Sequence, residues 1–399
     1  MRTEDELVGA LRAAASTIGE EGDLLAAVAR RRRRRTFRRA QAFAAAAAVV
    51  VLGVGARIVL SGGGEVDAIT PTGHATPPTA APSTGKGVPA EKLWPKAVFT
   101  MPTANADGWR YLPLTGLNAT EVLLSAWGRF ERSSTLEVYD SATRKTRVVT
   151  RVPRTPGLEG PIAQVAVTDG GNVIWIASGR KDTSKVREIW MAPLAGGQAR
   201  LLGTLRGDRV DIDVITIGGD QVVWSERAGG VWRMPLAGGS PQRLPGGKGL
   251  HVISWPWAGD VPADLSTSNR NQTKLIDLAR GTTYAVTVRA GTKGLRCGPT
   301  WCTGRDEKGS FVQRIDGTGV RHVGVFGTPT SLSLTPTFDR FVYLRDGVYD
   351  ISTGQVASIG KRSSWMALGS SSGPSTVACW EGGKDAMRML NLAAVPPAQ

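Results

Sequence analysis

Three patterns of apolar and polar positions follow one another along the chain. In the first, Leu7, Val8, Leu11, Ala15 and Ile18 recur at helical spacing behind the capping box Thr3-x-x-Glu6 and stop at Gly19, which predicts a short amphipathic helix. The second is unbroken: AFAAAAAVVVLGVGARIVL, Ala42 to Leu60, holds a single charge at Arg57. That length approaches the roughly 20 apolar residues needed to cross a bilayer core. The third fills residues 93–399 with short apolar or alternating runs bounded by Gly, Pro, Asn and Asp, which are strand signals.

The strand-forming part repeats itself. Trp190-Met191-Ala192-Pro193-Leu194-Ala195-Gly196-Gly197 returns as Trp232-Arg233-Met234-Pro235-Leu236-Ala237-Gly238-Gly239, 42 residues later. The same slot holds Tyr139-Asp140, Ile276-Asp277, Ile315-Asp316, Tyr349-Asp350 and Leu390-Asn391. With Asp140, Pro193, Pro235, Asp277, Asp316, Asp350 and Asn391 as markers, the intervals are 53, 42, 42, 39, 34 and 41. In each unit an apolar strand ends at the marker, a turn reverses it, and another strand follows. Upstream lies a further strand, as in Asn172 to Ala177 and Gln221 to Ser225.

Four strands at a WD40-like period of roughly 40–45 residues build a propeller blade, because each blade buries both faces against its neighbours. The expected fold is therefore mainly β: a seven-bladed propeller, with six or eight blades as alternatives and a β-sandwich array as the rival architecture. The last unit, with SWMALG, STVACW and MRMLNL, is one strand short of a full blade. Ala97 to Met101 (AVFTM) is expected to supply the missing strand and close the ring. The repeats resemble the TolB and quinoprotein-type propellers, most visibly in LTPTFDRFVYLRDGVYDISTGQ, Leu334 to Gln355. With the N-terminal pattern, the chain resembles actinobacterial membrane-anchored propeller proteins.

Composition agrees with many turns and anchored short strands: 50 Gly, 23 Pro and 12 Trp. The formal charge of +15 suggests nucleic acid until it is located. Residues 1–40 carry +4 and Arg57 carries +1, leaving +10 over the rest with no comparable basic run. No nucleic-acid partner is expected. The basic block, Arg30, Arg31, Arg32, Arg33, Arg34, Arg35, Arg38 and Arg39, directly precedes the apolar span and sets its topology by the positive-inside rule. The organisation expected is a cytoplasmic basic stub (1–40), a transmembrane helix (41–61), a Pro/Thr/Gly-rich linker (62–92) and an extracytoplasmic propeller (93–399). Arg34-Arg35-Thr36-Phe37 also resembles a twin-arginine export signal, with Val54-Gly55-Ala56 as a cleavage site. The alternative localisation is thus a secreted protein.

Candidate chemistry is sparse. Cys297 and Cys302 enclose Gly-Pro-Thr-Trp, and an extracytoplasmic hairpin would hold them close enough to form a structural disulfide. Cys379 reads as a buried strand residue. Gly369-Ser370-Ser371-Ser372-Gly373 matches the nucleophile-elbow spacing but joins two strands, where the elbow requires a strand and a helix. His251 and His322 are the general bases available to it. Asp208, Asp211 and Asp213 are oxygen donors without a calcium-loop spacing. No catalytic, cofactor or metal site is expected. Trp255 and Trp257, in the Pro-broken stretch SWPWAG, are the candidate recognition residues, with packing between blades as the other reading.

A binding or sensing ectodomain without catalytic activity is the expected function. Its partners would be an extracytoplasmic protein or an anionic polymer of the envelope. The stub resembles that of some anti-sigma factors, which implies a cytoplasmic sigma factor as a partner, although it lacks the Cys residues of the zinc-binding type. A propeller lyase or quinone-dependent dehydrogenase is the enzymatic alternative.

Overall fold

The computed structural model describes residues 87–398 apart from 129–133, 157–158, 182–183, 208–210, 263–268, 326–334, 346 and 361–375. The N-terminal helix, the Arg block, the span Ala42–Leu60 and most of the linker lie outside the described residues. Among those described, no helix is long and apolar enough to cross a membrane.

Among the described residues, seven sheets make up the fold, antiparallel but for one pair in blade six. Blade one holds Arg110–Gly116, Glu121–Trp127, Ser134–Asp140 and Lys145–Arg151, and blade two Glu159–Thr168, Asn172–Lys181, Ser184–Pro193 and Arg200–Arg206. Blade three holds Ile212–Gly218, Gln221–Glu226, Val231–Pro235 and Gln242–Arg243; blade four holds His251–Ser254, Trp257–Gly259, Lys274–Asp277 and Thr282–Ala285. Blade five is Lys293–Cys297, Trp301–Asp306, Gly309–Arg314 and Arg321–His322. The described strands of blade six are Phe341–Leu344, Gly347–Asp350 and Val356–Ser358. Those of blade seven are Val377–Gly383, Ala386–Asn391 and Val98–Pro102. In blades one to five, where four strands are described, the first and third hairpins lie at the same end of the blade.

Near-continuous apolar strands form here because both faces of each inner strand are buried. Every blade-to-blade seam has its own apolar cluster. Leu114, Leu123 and Val138 meet Trp175 and Trp190 between blades one and two, and Ile174 and Ile189 meet Ile215 and Trp224 in the next seam. The remaining seams are filled in the same way around to blade one, where Met101, Cys379 and Met389 pack on Val122 and Tyr139. The recurring Trp pairs are cross-strand neighbours: Trp175 opposes Trp190 with stacked rings 6.5 Å apart, and Trp224 opposes Trp232.

The ring closes as the short last unit requires. Val98–Pro102 pairs antiparallel with Ala386–Asn391, from Val98 opposite Leu390 to Pro102 opposite Ala386. The chain is structured before the expected domain start, since Val88–Pro89 adds a parallel strand to Val356–Ser358 in blade six. The short helix Ala90–Leu93 follows it. Ala90 and Trp94 are buried in the seam between blades six and seven, and Glu91 is ion-paired with Arg388. Residues 88–92 fall within the expected linker because a two-residue strand has no periodicity to detect.

The repeat marker has a physical cause. Asp140, Asp277, Asp350 and Asn391 each accept the backbone N–H two residues on, at 2.8, 3.0, 2.9 and 3.1 Å, capping the turn after the third strand. Pro193 and Pro235 instead end their strands in Gly-Gly turns, in which Gly196 and Gly238 donate to the proline carbonyls. Blade five corrects the sequence alignment. The residue opposite the start of its second strand, Trp301, is Arg314, so Asp316 stands two residues beyond the equivalent slot. Asp316 caps the same kind of turn, accepting Thr318 N–H at 2.9 Å, and therefore carries the same signature out of register.

Candidate functional site

At the end of the ring bearing the first hairpins, residues of all seven blades surround an axial cavity of about 840 Å³. Every blade contributes to its wall: Thr115 and Gly116, Thr168, Thr216, Trp255, Gly298, Thr337 and Thr376 come from blades one to seven in turn. That volume lies within the usual range for small-molecule sites. Its wall is more apolar than polar, with the hydroxyls of Thr115, Thr168, Thr216, Ser254, Thr337 and Thr376 spaced among apolar and aromatic side chains. Thr115 Oγ1 and Thr376 Oγ1 lie 2.7 Å apart, and the Gly116 N–H donates to Thr376 Oγ1 at 2.7 Å, tying blade seven to blade one at the cavity edge.

Trp255 and Trp257 are both half-buried in this wall. The Trp255–Pro256 peptide is cis, and the Trp255 ring lies so close over Gly218 that a Cβ there would stand 2.5 Å from it. Trp257 is tilted against Tyr284, with ring centroids 5.8 Å apart. Each indole therefore packs along a seam while presenting part of its surface to the cavity. The two readings of these residues, core and recognition, are compatible.

Next to them around the ring, blades five and six build a corner of the wall. Cys297 and Cys302 are joined by a disulfide across the hairpin that carries Gly298 and Pro299 into the wall. Asp339 accepts the N–H groups of Thr300 and Trp301 at 3.1 and 3.0 Å, and its Oδ1 approaches Gly298 so closely that a Cβ would lie 2.7 Å away. Burial pushes the Asp339 carboxyl above its ordinary range, against the hydrogen bonds from Thr300 and Trp301. Phe338 and Asp339 have φ of 54° and 53°. Two successive left-handed residues make a tight hairpin turn usually given to Asn-Gly, and in Phe338 the conformation is strained. Phe338 is also 56% exposed and lines the cavity mouth. Strain held at a cavity rim is a mark of functional sites.

The wall's other acids are Glu121 and Asp169. Asp169 is exposed; desolvation raises its carboxyl, but the N–H groups of Asn172 and Gly171, at 2.6 and 2.8 Å, outweigh this and hold it below the ordinary range. Glu121 takes Asn118 Nδ2 at 2.8 Å and sits 3.6 Å from Arg147. These acids escaped the sequence reading because it followed the turn after the third strand. The hairpin after the first strand, as in Thr168-Asp169-Gly170-Gly171, carries the lining residues.

The remaining described candidates stand apart from the cavity. Asp211 pairs with Arg227 at 3.6 Å, and Asp213 with His251 Nδ1 at 2.8 Å; Asp208 and the stretch 369–373 lie outside the described residues. His322 Nε2 is 3.0 Å from Asp306, and Cys379 is buried in blade seven. Among the described residues, no three His, Cys, Asp or Glu side chains gather as a metal site.

The geometry defines a seven-bladed β-propeller with an axial cavity. Comparison with protein-family models and with curated proteins returned no match. Among solved structures, the chain is similar to the β-propeller domain of the Trilobed protease from Pyrococcus furiosus, at 10% identity and a TM-score of 0.40, over 66% of this chain and 92% of that one. It is similar to an oligogalacturonate lyase in complex with manganese, at 11% identity and a TM-score of 0.40, over 79% and 99%. A third is the C-terminal WD40 domain of Sif2, at 12% identity and a TM-score of 0.36, over 62% and 72%. These likenesses concern the propeller fold.

Proposed function

We propose that this protein is a recognition module whose ligand enters the axial cavity, held outside the cell by the span Ala42–Leu60. The observation that supports it best is the cavity itself: a site of about 840 Å³ to which all seven blades contribute, with two half-buried indoles in its wall. Apolar and aromatic surface with a few placed polar groups is the usual make-up of a ligand site. The Arg block ahead of the span supports the orientation. A sensing role follows from the same arrangement, since ligand bound outside would be coupled to a stub inside.

The test compares the full-length protein with Trp255→Ala and Trp257→Ala variants in a thermal-shift screen of a small-molecule library. Compounds that stabilise the wild type and not the variants are expected. A set of ligands whose effect is indifferent to both substitutions would place recognition elsewhere and contradict the proposal.

A further inference from the structure

The charge of the cavity wall is opposite to that of the chain. Lys and Arg outnumber Asp and Glu 49 to 34 overall. The described residues lining the cavity nonetheless include Glu121, Asp169 and Asp339 and no Lys, Arg or His. Part of this charge is already answered, because Arg147 stands beside Glu121 and donates to the Leu194 carbonyl at 2.6 Å. Asp169 and Asp339 differ. Their hydrogen bonds come from uncharged donors, the backbone N–H groups of their own or the neighbouring hairpin with the side chains of Asn172 and Thr300, and among the described residues no cation is paired with either. Uncharged donors orient a carboxylate without neutralising it. Low-dielectric walls focus such a field into a cleft.

The aromatic groups point to the same kind of ligand. The face of an indole attracts an ammonium, and does so more strongly when water is excluded. Trp255 and Trp257 share the wall with Asp169 and Asp339, and Phe338 stands at the mouth. Thr168, Thr216 and Ser254 add hydroxyls that can accept from an amine N–H. An anion entering here would meet carboxylates and the negative faces of rings.

We infer that the axial cavity binds a cationic amine, with its ammonium groups held by Asp169 and Asp339 and by the indole surface that Trp255 and Trp257 leave to the cavity. This rests on the cavity being the recognition site and adds the chemical class of the ligand. A free polyamine and a lysine side chain of a partner protein share that chemistry.

The test is isothermal titration of the full-length protein in detergent with spermidine, an N-acetylated trilysine peptide, diacetylspermidine and a dicarboxylate of similar length. Saturable binding of the first two is expected, and whichever binds more tightly identifies the source. Asp169→Asn and Asp339→Asn keep an acceptor for the backbone N–H groups, so they should fold. Each should weaken amine binding about five- to tenfold. Asp107→Asn, at an exposed position away from the cavity, should leave it unchanged. Equal binding of diacetylspermidine or of the dicarboxylate, lost in Trp255→Ala, would overturn the charge preference while keeping the cavity as the site. Absence of Trp255-dependent binding by all four probes would overturn both.

Discussion

The carboxylate of Asp339 in blade six accepts the backbone N–H of Trp301 in blade five at 3.0 Å. One side chain thereby fixes the distance between two hairpins of the cavity wall. Because it is half-buried and has a φ of 53°, its replacement separates the loss of an acceptor from the strain of the backbone. Asp339→Ala leaves two backbone donors without an acceptor and puts a Cβ-only residue in the left-handed region, at a cost of about 1–3 kcal/mol. Asp339→Asn retains the acceptor and tolerates the backbone, so urea unfolding should show it close to the wild type.

The pH dependence of that residue has a definite sign. A carboxyl whose folded pKa is raised holds more protons in the folded than in the unfolded state between the two pKa values. Its contribution to stability falls as pH rises through that window, from the ordinary carboxylate range up to the raised value, and is constant above it. Asp339→Asn removes this contribution. The difference in unfolding free energy between wild type and variant should therefore shift in favour of the variant on going from acid to neutral pH. A difference constant with pH would contradict the assignment.

Gly218 and Trp255 are in van der Waals contact across the seam of blades three and four, with no space for a Cβ. Gly218→Ala should displace the indole, costing about 1–3 kcal/mol and altering the cavity. Loss of ligand-induced stabilisation together with a shifted tryptophan emission is the expected result. Retention of both would show that Trp255 is not set by this contact.

Much of this molecule was legible in the sequence, for reasons that differ from element to element. Pro193 and Pro235 revealed the period because identical Pro-Leu-Ala-Gly-Gly turns demand identical residues. Asp140, Asp277, Asp350 and Asn391 extended it because each caps a turn with its own side chain. Even closure by Val98–Pro102 followed from a last unit one strand short. The cavity was not legible beyond Trp255 and Trp257. Its wall joins Asp169, Asp339 and Thr115, which are remote in sequence and carry no shared motif. Convergence on an axis is a property of the ring, not of any segment.

The closing strand can be weighed separately. Met101 is 1% exposed within the seam joining the last and first blades. Met101→Ala should lower the unfolding free energy by about 2–5 kcal/mol. The disulfide Cys297–Cys302 closes a small loop worth roughly 2 kcal/mol in chain entropy. Mass spectrometry of unreduced protein should recover its two peptides linked, and Cys297→Ala with Cys302→Ala should lower the thermal midpoint. Recovery of both thiols free would contradict the bond.

Orientation is tested by a phosphatase reporter fused after Gln399, expected to be active outside the cell. Reversing the charge of Arg30, Arg31, Arg32, Arg33, Arg34 and Arg35 should reduce that activity. The excess of +10 beyond Arg57 makes a second prediction for the outer surface: weak association with anionic envelope polymers that falls steeply with salt. Salt-independent association would contradict it.

The axial cavity as the recognition site is tested most directly by fluorine NMR of the full-length protein labelled with 5-fluorotryptophan. The resonances of Trp255 and Trp257 are assigned by replacing each with Phe. Titration with spermidine should shift these two saturably, at a common affinity, while Trp175 and Trp224, buried between blades, stay in place. Shifts confined to other tryptophans, or none at saturating amine or at any other stabilising ligand, would contradict the account.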